Sequence, residues 1–421
     1  MSERILPQGW EPKTLIDRAD YINGVPFKPS DWSETGLPIV RIAQITGSSL
    51  EYDYFQGSIS NLYKLQTDDI IFSWSGTLCV VRWHGGQAWL NQHLFRVAPY
   101  PNIDDGFFFH LLSNAVEDME KSAHGSTMKH IKRGELKKYN VAIPVSLKEQ
   151  QKIAQILDTL DTQIQKTEAL IAKLEKIKEG LLHDLLTRGI DQNGQLRPTP
   201  EQAPELYKES ALGLIPKEWE VLPAVAICQA VIDCKNRTPP ERTTGFPVIR
   251  TPNVRNGRFV YSDLLFTDQK SYEIWTQRGA PRPGDIVITR EAPVGEVCKI
   301  PATMKQVCLG QRMMMYQPDP SVMLTDYMLA ALVSHRVQNR LLDLAGGSTV
   351  GHVRVGDIRQ LAIPTPPISE QSLIADKFNA IESRLFDETR ELDKLCLTKN
   401  GLMDDLLTGR VRVTALLKDS V

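Results

Sequence analysis

Apolar residues recur at alternating steps of four and three positions along residues 146–188, a stretch without proline and without glycine before Gly180. Such spacing is typical of the heptad seam of a coiled coil. Ser146 and Glu149 stand at capping-box spacing before the seam, and Gly189 follows its end. The predicted seam positions, which are broken only by the polar Thr167 and Lys178, are Ile153, Leu157, Leu160, Ile164, Ile171, Leu174, Leu181 and Leu185.

A seam of this kind needs a partner helix, and the same pattern returns at a constant offset near the other end of the chain. The two polar breaks return as Glu388 and Lys399, and the ending GLLHDLLTRG from Gly180 returns as GLMDDLLTGR from Gly401. The second set of seam positions is Ile374, Phe378, Ile381, Leu385, Leu392, Leu395, Leu402 and Leu406. Matching breaks and endings predict an internal duplication whose two long helices pair antiparallel within one chain.

The segments that precede the two helices also repeat each other. Short β-like runs separated by turns alternate with a few helical stretches, and LPIVRIAQI from Leu37 returns as FPVIRTPNV from Phe246. Trp10 returns as Trp219, and Gln92 returns as Gln311. Irregular strand spacing of this kind indicates an α+β globule with a mixed sheet rather than a doubly wound fold.

With 421 residues, the chain is longer than one hydrophobic core usually serves. The predicted order is a first globule over residues 1–145, a long helix over 146–189, a polar, proline-bearing linker over 190–212, a second globule over 213–367, a second long helix over 368–409 and a tail over 410–421. A helix of about 40 residues is roughly 60 Å long. We expect two similar globules, held apart and related by a pseudo-two-fold axis across the helix pair.

Charge and cysteine usage narrow the class of protein. The formal net charge is −2, so the chain lacks the global basic character of an unaided DNA-binding protein. Its six cysteines form no CxxC pair, and no apolar run is long enough to span a bilayer. These features, with no secretory signal, predict reduced thiols in a cytoplasmic protein.

The phrases PVSLKEQQKIAQIL and PPISEQSLIADKF, which open the two helices after an Ile-Pro strand end, resemble the DNA-specificity subunit of type I restriction–modification systems. The resemblance covers essentially the whole chain. It implies a non-catalytic subunit that binds double-stranded DNA at a bipartite, asymmetric target and assembles with two adenine-methylating modification subunits and with ATP-driven restriction subunits. It places S-adenosylmethionine, ATP and Mg²⁺ in those partners and no cofactor in this chain.

Missing motifs agree with this interpretation. The sequence contains no GxxxxGK[ST] phosphate loop, no GxGxxG turn and no HExxH, so neither a catalytic residue nor a metal ligand is predicted. The alternative that stays open is a free-standing, two-headed DNA-binding regulator, or a scaffold whose coiled coil recruits unrelated partners.

Base edges and phosphates are contacted mainly by Arg, Lys, Asn, Gln and Ser side chains on presented strands and loops. The predicted DNA contacts in the first globule are Lys28, Arg41, Gln44, Ser73, Trp74, Ser75, Lys129, His130 and Arg133. Those in the second globule are Arg237, Arg250, Asn253, Arg255, Asn256, Arg258, Arg290, His352 and Arg354. The competing interpretation is a solvated edge strand or helix face, with Trp74 in the core. The loop at Ser73–Ser75 aligns with Thr289–Glu291, and such unlike residues at one scaffold position are typical of a reading loop.

Overall fold

The computed structural model describes residues 6–122, 130–131, 133–346 and 351–417. The chain forms two compact units: unit 1 comprises Met1–Ala169 with Arg390–Val421, and unit 2 comprises Leu170–Thr389. Both boundaries cut a long helix near its middle, so each unit contains one globule and half of each long helix.

Unit 1 carries two four-stranded sheets. Its strands are β1 Trp10–Thr14, β2 Ala19–Asn23, β3 Leu37–Val40, β4 Tyr54–Phe55, β5 Lys64–Leu65, β6 Ile70–Ser73, β7 Cys79–Arg82, β8 Ala88–Leu90, β9 Leu94–Pro99 and β10 Asn140–Pro144. Its helices are α1 Ile42–Ile45, α2 Asp105–Ser122, α3 Arg133–Leu136 and the first part of α4 Leu147–Thr187. The strand orders are β2-β9-β6-β7 and β4-β3-β8-β5, and β1 pairs with β10.

Unit 2 repeats this plan. Its strands are β11 Tyr207–Lys208, β12 Ile215–Pro216, β13 Glu220–Pro223, β14 Cys228–Asp233, β15 Phe246–Ile249, β16 Val254–Arg255, β17 Arg258–Phe259, β18 Leu265–Thr267, β19 Ile286–Thr289, β20 Val297–Lys299, β21 Cys308–Leu309, β22 Met313–Pro318 and β23 Ala362–Thr365. Its helices are α5 Gln269–Trp275, α6 Thr325–Val333, α7 His335–Leu344, α8 Val355–Arg359 and the first part of α9 Ile368–Leu406.

The topologies confirm the predicted α+β repeat. The antiparallel sheet β14-β22-β19-β20 matches β2-β9-β6-β7, and the β13–β23 pair matches β1–β10. Each unit also contains one parallel pair, β3 with β8 and β15 with β21. The insertions that distinguish unit 2, such as the β16–β17 hairpin, lie in the connections between shared strands.

The core of each unit lies where one face of this antiparallel sheet meets a helix of the globule and both long helices. In unit 1 the cluster joins Phe72 and Phe95 of the sheet to Phe108 of α2, Leu157 of α4 and Leu406 of α9. The matching cluster in unit 2 joins sheet residues such as Ile286 to α6, to Leu185 of α4 and to Phe378 of α9. Each globule is therefore anchored on the helix pair through apolar burial.

Every position of the predicted heptad seam is buried or half-buried. The polar breaks are half-buried too, and the two lysines are neutralised across the helix pair. In unit 2 the ammonium of Lys178 pairs with Glu382, and in unit 1 that of Lys399 pairs with Asp161. These two pairs occupy repeated positions, so the duplication extends to the charges that interrupt the seam.

A buried glutamate near the start of each long helix forms what we call the junction cluster. In unit 2 the Trp219 indole N–H donates to Glu370 at 3.0 Å, and Arg197 donates to both carboxylate oxygens at 2.5 and 3.0 Å. In unit 1 Trp10 donates to Glu149 at 3.4 Å, and Arg412 donates to both oxygens at 2.6 and 2.8 Å. The cluster thereby ties a globule, the helix that leaves it and the segment that follows the other helix.

The residue that follows this glutamate in each helix is a buried glutamine, Gln150 or Gln371, which binds three backbone groups of the globule. Gln371 accepts a hydrogen bond from the backbone N–H of Leu324 and donates to the carbonyls of Val322 and Pro366, all at 2.8–2.9 Å. Gln150 makes the same three kinds of contact. The recurring Glu-Gln pair thus has a structural cause in each unit.

The segment predicted as a linker is structured. Strands β11 and β12 pair within it and just beyond it, and Arg197 belongs to the junction cluster of unit 2. The tail likewise places Arg412 in unit 1. Sequence composition alone missed both contacts because a single arginine among prolines and polar residues does not reveal a buried partner that is distant in sequence.

All six cysteines are free thiols. Burial raises the pKa of Cys228 and of Cys308 to about 12, which keeps both protonated at neutral pH. No helix among the described residues combines the length and the apolar character needed to cross a membrane.

Candidate nucleic-acid interface

The predicted reading loop lies at one end of the antiparallel sheet in each unit, where the first central strand ends and the second begins. We call this place the turn site: Asn23, Trp74, His93 and His130 in unit 1, and Arg290, Glu291, Arg312 and His352 in unit 2. The backbone is held alike in both. The N–H of Ile131 donates to the carbonyl of Trp74 at 2.9 Å, and the N–H of Val353 donates to that of Arg290 at 3.0 Å.

The turn site of unit 1 is aromatic. The Trp74 ring is half-buried against the core of unit 1 and lies 5.8 Å from the His93 ring and 6.2 Å from the His130 ring. Its indole N–H donates to the Asn23 side chain at 3.2 Å. Both imidazoles are exposed and offer ring nitrogens to a ligand. Trp74 therefore belongs in part to the core, as the competing interpretation stated, and in part to this surface.

The turn site of unit 2 is charged. The Arg290 side chain is 6% exposed, and its Nη1 lies 3.4 Å from His352 Nε2 and 3.4 Å from the Val353 carbonyl oxygen. The Glu291 carboxylate lies 3.5 Å from Arg312 Nε and 3.8 Å from His352 Nδ1. Arg290 is thus a buried residue that supports His352 and the neighbouring backbone, whereas Arg312 and His352 are exposed to solvent.

Further cations adjoin the turn site of unit 2. Arg237 and Lys235 stack on the Trp275 ring, with 5.1 and 5.6 Å to its centroid, and the Trp275 N–H donates to the Arg237 carbonyl. The backbone N–H of Gln311 donates to the Thr238 hydroxyl at 3.4 Å, which joins this loop to the start of β22. An exposed cation on an aromatic ring beside a turn suits a phosphate contact. Lys235 was not among the sequence candidates, although it lies two residues before Arg237.

Four of the predicted DNA contacts are buried and therefore cannot touch DNA directly. Ser73 and Asn253 are 0% exposed, and Ser75 and Arg290 are 8% and 6% exposed. Asn253 donates to the carbonyls of Val260 and Ser262 at 3.2 and 3.0 Å, and Ser73 donates to the carbonyl of Ser75 at 3.3 Å. Their donors stabilise loops, because buried polar groups in folded proteins are paired internally. Arg290 keeps an indirect role as the support of the turn site.

Three further candidates, which follow the equivalent strands β3 and β15, are half-buried and engaged in contacts within their own loops. Arg41 pairs with Asp53 and lies 5.2 Å from the Trp32 ring. Gln44 donates to the Glu51 carbonyl at 2.6 Å, and Arg250 donates to that of Asp263 at 2.7 Å. The recurrence of Arg with Gln or Asn at this spacing therefore reflects loop structure, since the side-chain oxygen of the second residue accepts from the backbone N–H of the first in both units.

The β16–β17 hairpin of unit 2, which carries Arg255 and Arg258, contacts the long helix α9. Arg258 donates from Nε and Nη2 to Glu382 of α9 at 3.0 and 2.9 Å. Arg255 donates to the carbonyl of Val254 at 3.2 Å, and the backbone N–H of Asn256 donates to Glu296 at 2.6 Å. Arg258 is hence a contact between globule and helix. The sequence around Arg258 does not reveal this contact, because Glu382 is distant in the chain.

The remaining candidates are exposed. Lys28, His130 and Arg133 in unit 1 and Arg237, Asn256, His352 and Arg354 in unit 2 face solvent. Lys129 lies outside the described residues. Within each unit, the exposed candidates at the turn site offer hydrogen-bond donors, and in unit 2 the exposed Arg312 and the half-buried Lys235 add positive charge.

One group of His and carboxylate side chains, among the residues that the structure describes, is close enough to hold a metal ion. It comprises His110, Asp158 and Asp161. His110 is 1% exposed, its Nε2 lies 2.8 Å from Asp158 Oδ1, and Asp161 also pairs with Lys399. Since a lysine already neutralises Asp161, this group is well explained as an ion-pair network between α2 and the helix pair.

Comparisons with known proteins agree with this geometry. A family model described as the type I restriction modification DNA specificity domain matches residues 7–176 and 216–395. The chain therefore belongs to the type I restriction–modification DNA-specificity family, and its two matches coincide with the two repeats.

Relatives and solved structures span nearly the whole chain. The type I restriction enzyme MjaVIII specificity subunit of Methanocaldococcus jannaschii is 22% identical, over 98% of this chain and 95% of its own length. The EcoBI specificity subunit of Escherichia coli is 22% identical, over 96% and 85%. The crystal structure of an S subunit from M. genitalium matches with a TM-score of 0.60 and 14% identity, over 97% of this chain and 98% of that one. The structural likeness shows a shared fold.

Proposed function

We propose that this chain recognises a bipartite, asymmetric sequence in double-stranded DNA, with one half-site bound by each unit, and thereby directs adenine N6 methylation and ATP-dependent cleavage. The chain performs no catalytic step. Two modification subunits and the restriction subunits carry out the chemistry in the cytoplasm, with S-adenosylmethionine, ATP and Mg²⁺ bound in those partners.

The observation that carries this proposal is the pair of turn sites. A protein that binds two different half-sites on one duplex needs a shared scaffold and unlike side chains at the place of contact. The backbone hydrogen bonds of Trp74 and Arg290 are the same, whereas one site is aromatic and the other is charged. Divergence of the side chains on a backbone that is held alike supports a reading role for this end of the sheet.

The test is a map of N6-methyladenine in an unmethylated host that expresses this chain together with its modification subunit. We expect a split, asymmetric motif with a fixed gap that is absent without this chain. Trp74→Ala should change one half of the motif, and Arg290→Ala should change the other.

Absence of methylation from a folded, associated complex would refute the proposal and favour the free-standing regulator. In that case footprinting of the chain alone would still show two protected half-sites. A symmetric motif, or a single variant that alters both halves, would contradict the assignment of one half-site to each unit.

A further inference from the structure

Arg312 lies at the first turn of the charged site, immediately before β22, in a backbone conformation with φ +74°. This left-handed region is uncommon for a residue other than glycine and is costly unless the surroundings hold it. The Arg312 carbonyl accepts a hydrogen bond from the N–H of Arg290 at 2.9 Å, which holds the turn. The start of the Arg312 side chain is therefore fixed in direction.

Glu291 lies beside the other end of the same side chain and pairs with it. Its carboxylate lies 3.5 Å from Arg312 Nε and 3.8 Å from His352 Nδ1, so it faces two positively charged or polar groups at once. The Arg312 side chain is 44% exposed. The contact with Glu291 is made through Nε, and neither Nη1 nor Nη2 has a hydrogen-bond partner among the described residues. The planar pair of terminal donors is thus available at the exposed end of the side chain.

A pair of guanidinium donors held in one plane matches the O6 and N7 acceptors that guanine presents in the major groove. A preoriented guanidinium also loses less side-chain entropy on binding than a free one. We propose that Arg312, with Glu291 as its positioning residue, recognises a guanine in the half-site bound by unit 2. This inference rests on the proposed function and specifies part of its target.

Unit 1 offers a contrast at the same place. The position that corresponds to Arg312 is occupied by His93, whose ring lies beside Trp74. Ser75 replaces Glu291 there and is 8% exposed. An imidazole cannot present two parallel donors, so the guanine contact belongs to the half-site of unit 2 alone.

The experiment uses the full complex and sequences the methylated sites base by base. In the wild type, the half-site that responds to unit 2 variants should contain an invariant guanine. Arg312→Lys should keep a weakened guanine preference, because an ammonium forms one contact in place of two. Arg312→Gln should lose it or shift it toward adenine, which Gln recognises in bidentate fashion. Discrimination at that one base pair should fall on the order of tenfold to a hundredfold.

A matched control is Arg282→Gln, which removes an equal charge from an exposed residue at the other end of β19. It should leave every position of the motif unchanged. Glu291→Gln keeps the shape of the positioning residue and removes its charge. It should relax the same base pair as Arg312→Gln, to a smaller extent, and no other.

The outcomes separate this inference from the proposed function. Two results would overturn the inference while the bipartite motif stands. The first is a unit 2 half-site that contains no guanine. The second is an Arg312→Gln complex whose methylation falls evenly over an unchanged motif, which would identify a phosphate contact. Relaxation by Glu291→Gln at a different base pair would overturn its positioning role. Absence of any motif in the wild type would refute the proposed function itself.

Discussion

The two units are alike where each globule meets the long helices and unlike at the turn sites. Both junction clusters use Trp, Glu and Arg, and Gln150 and Gln371 make equivalent hydrogen bonds. At the turn sites Trp74 stands where unit 2 has Arg290. The anchoring chemistry is therefore kept while the turn-site chemistry differs, both beneath the surface and at the exposed His93 and Arg312, which is the division that the proposed function requires.

The ion pairs between each globule and the helix seam are partly alike and partly different in the two units. In unit 2 Glu382 binds Lys178 and the permanently charged Arg258. In unit 1 Asp161 binds Lys399 and lies 3.9 Å from His110. The same ionic motif thus includes a histidine in unit 1 and an arginine in unit 2.

The largest expected effect comes from removing the junction carboxylate of unit 2. Glu370→Ala leaves the Trp219 N–H without a partner and leaves the largely buried guanidinium of Arg197 with only the exposed Glu218 carboxylate and the Arg188 carbonyl. This change should destabilise unit 2 by about 3 kcal/mol, the lower end of the cost of breaking a buried ion pair. Glu149→Ala should cost unit 1 roughly half as much, since the Arg412 side chain is 28% exposed against 12% for Arg197. Hydrogen exchange resolved by unit measures both.

The control for each variant is the other unit, whose amide protection should not change. Equal loss of protection in both units after Glu370→Ala would show that the junction clusters do not stabilise the units separately, and would break the comparison at its strongest point.

A smaller effect is expected from the buried glutamines. Gln371→Ala leaves the Leu324 N–H and two carbonyls unpaired in unit 2, a loss of about 1–3 kcal/mol for an unsatisfied buried group. Gln150→Ala should cost unit 1 a similar amount because its contacts are the same. Thermal unfolding with a probe in each unit tests this equality. A difference of more than about 2 kcal/mol between the two variants would contradict it.

Acid sensitivity should distinguish the units. The hydrogen bond with His110 lowers the pKa of Asp158, so the carboxylate favours folding above its unfolded pKa of about 3.9, and this contribution is lost as pH falls through the lowered value. Unit 2 has Asn379 at the repeated position. Asp158→Asn should therefore flatten the acid limb of unit 1 by less than about 1 kcal/mol, since the side chain is 48% exposed. An unchanged pH profile would remove Asp158 as its source.

The smallest effect concerns the exposed arginines beside the turn sites, Arg133 in unit 1 and Arg354 in unit 2. If each contacts a phosphate, Arg133→Ala or Arg354→Ala should weaken DNA binding on all sequences and lower the salt slope by about 1. The recognised motif should stay the same. Titrations at several salt concentrations measure the slope, and an unaltered slope would assign both side chains to a solvated surface.

Much of the fold could be predicted from the sequence, because a heptad seam is a local and repeated signal. Ile153 and Ile374 are both 0% exposed, as their spacing predicted. The strands at Ile70 and Ile286 and the repeat of the globules were evident for the same reason. Local periodicity and turn chemistry suffice for such features.

The interface was less predictable, since a side chain's partner is set by residues distant in the chain. Arg258 and Arg133 are equivalent in type, yet one binds Glu382 and the other faces solvent. Arg312 was missed because its left-handed backbone and its contact with Glu291 are visible only in the folded turn. The unlike residues that the two repeats carry at one scaffold position pointed to the turn site in the sequence. Residue type alone, however, was a poor guide to which side chains line that site.

Unit 1 is discontinuous in the chain, and this has a consequence for synthesis. Unit 2 comprises only Leu170–Thr389, so all its residues exist once the ribosome has passed position 389. The core of unit 1 requires Met403, Leu406 and Val413, which are translated later. Although nascent domains generally fold from the N-terminus onward, the N-terminal globule here completes its core only after residues 403–413 have been translated.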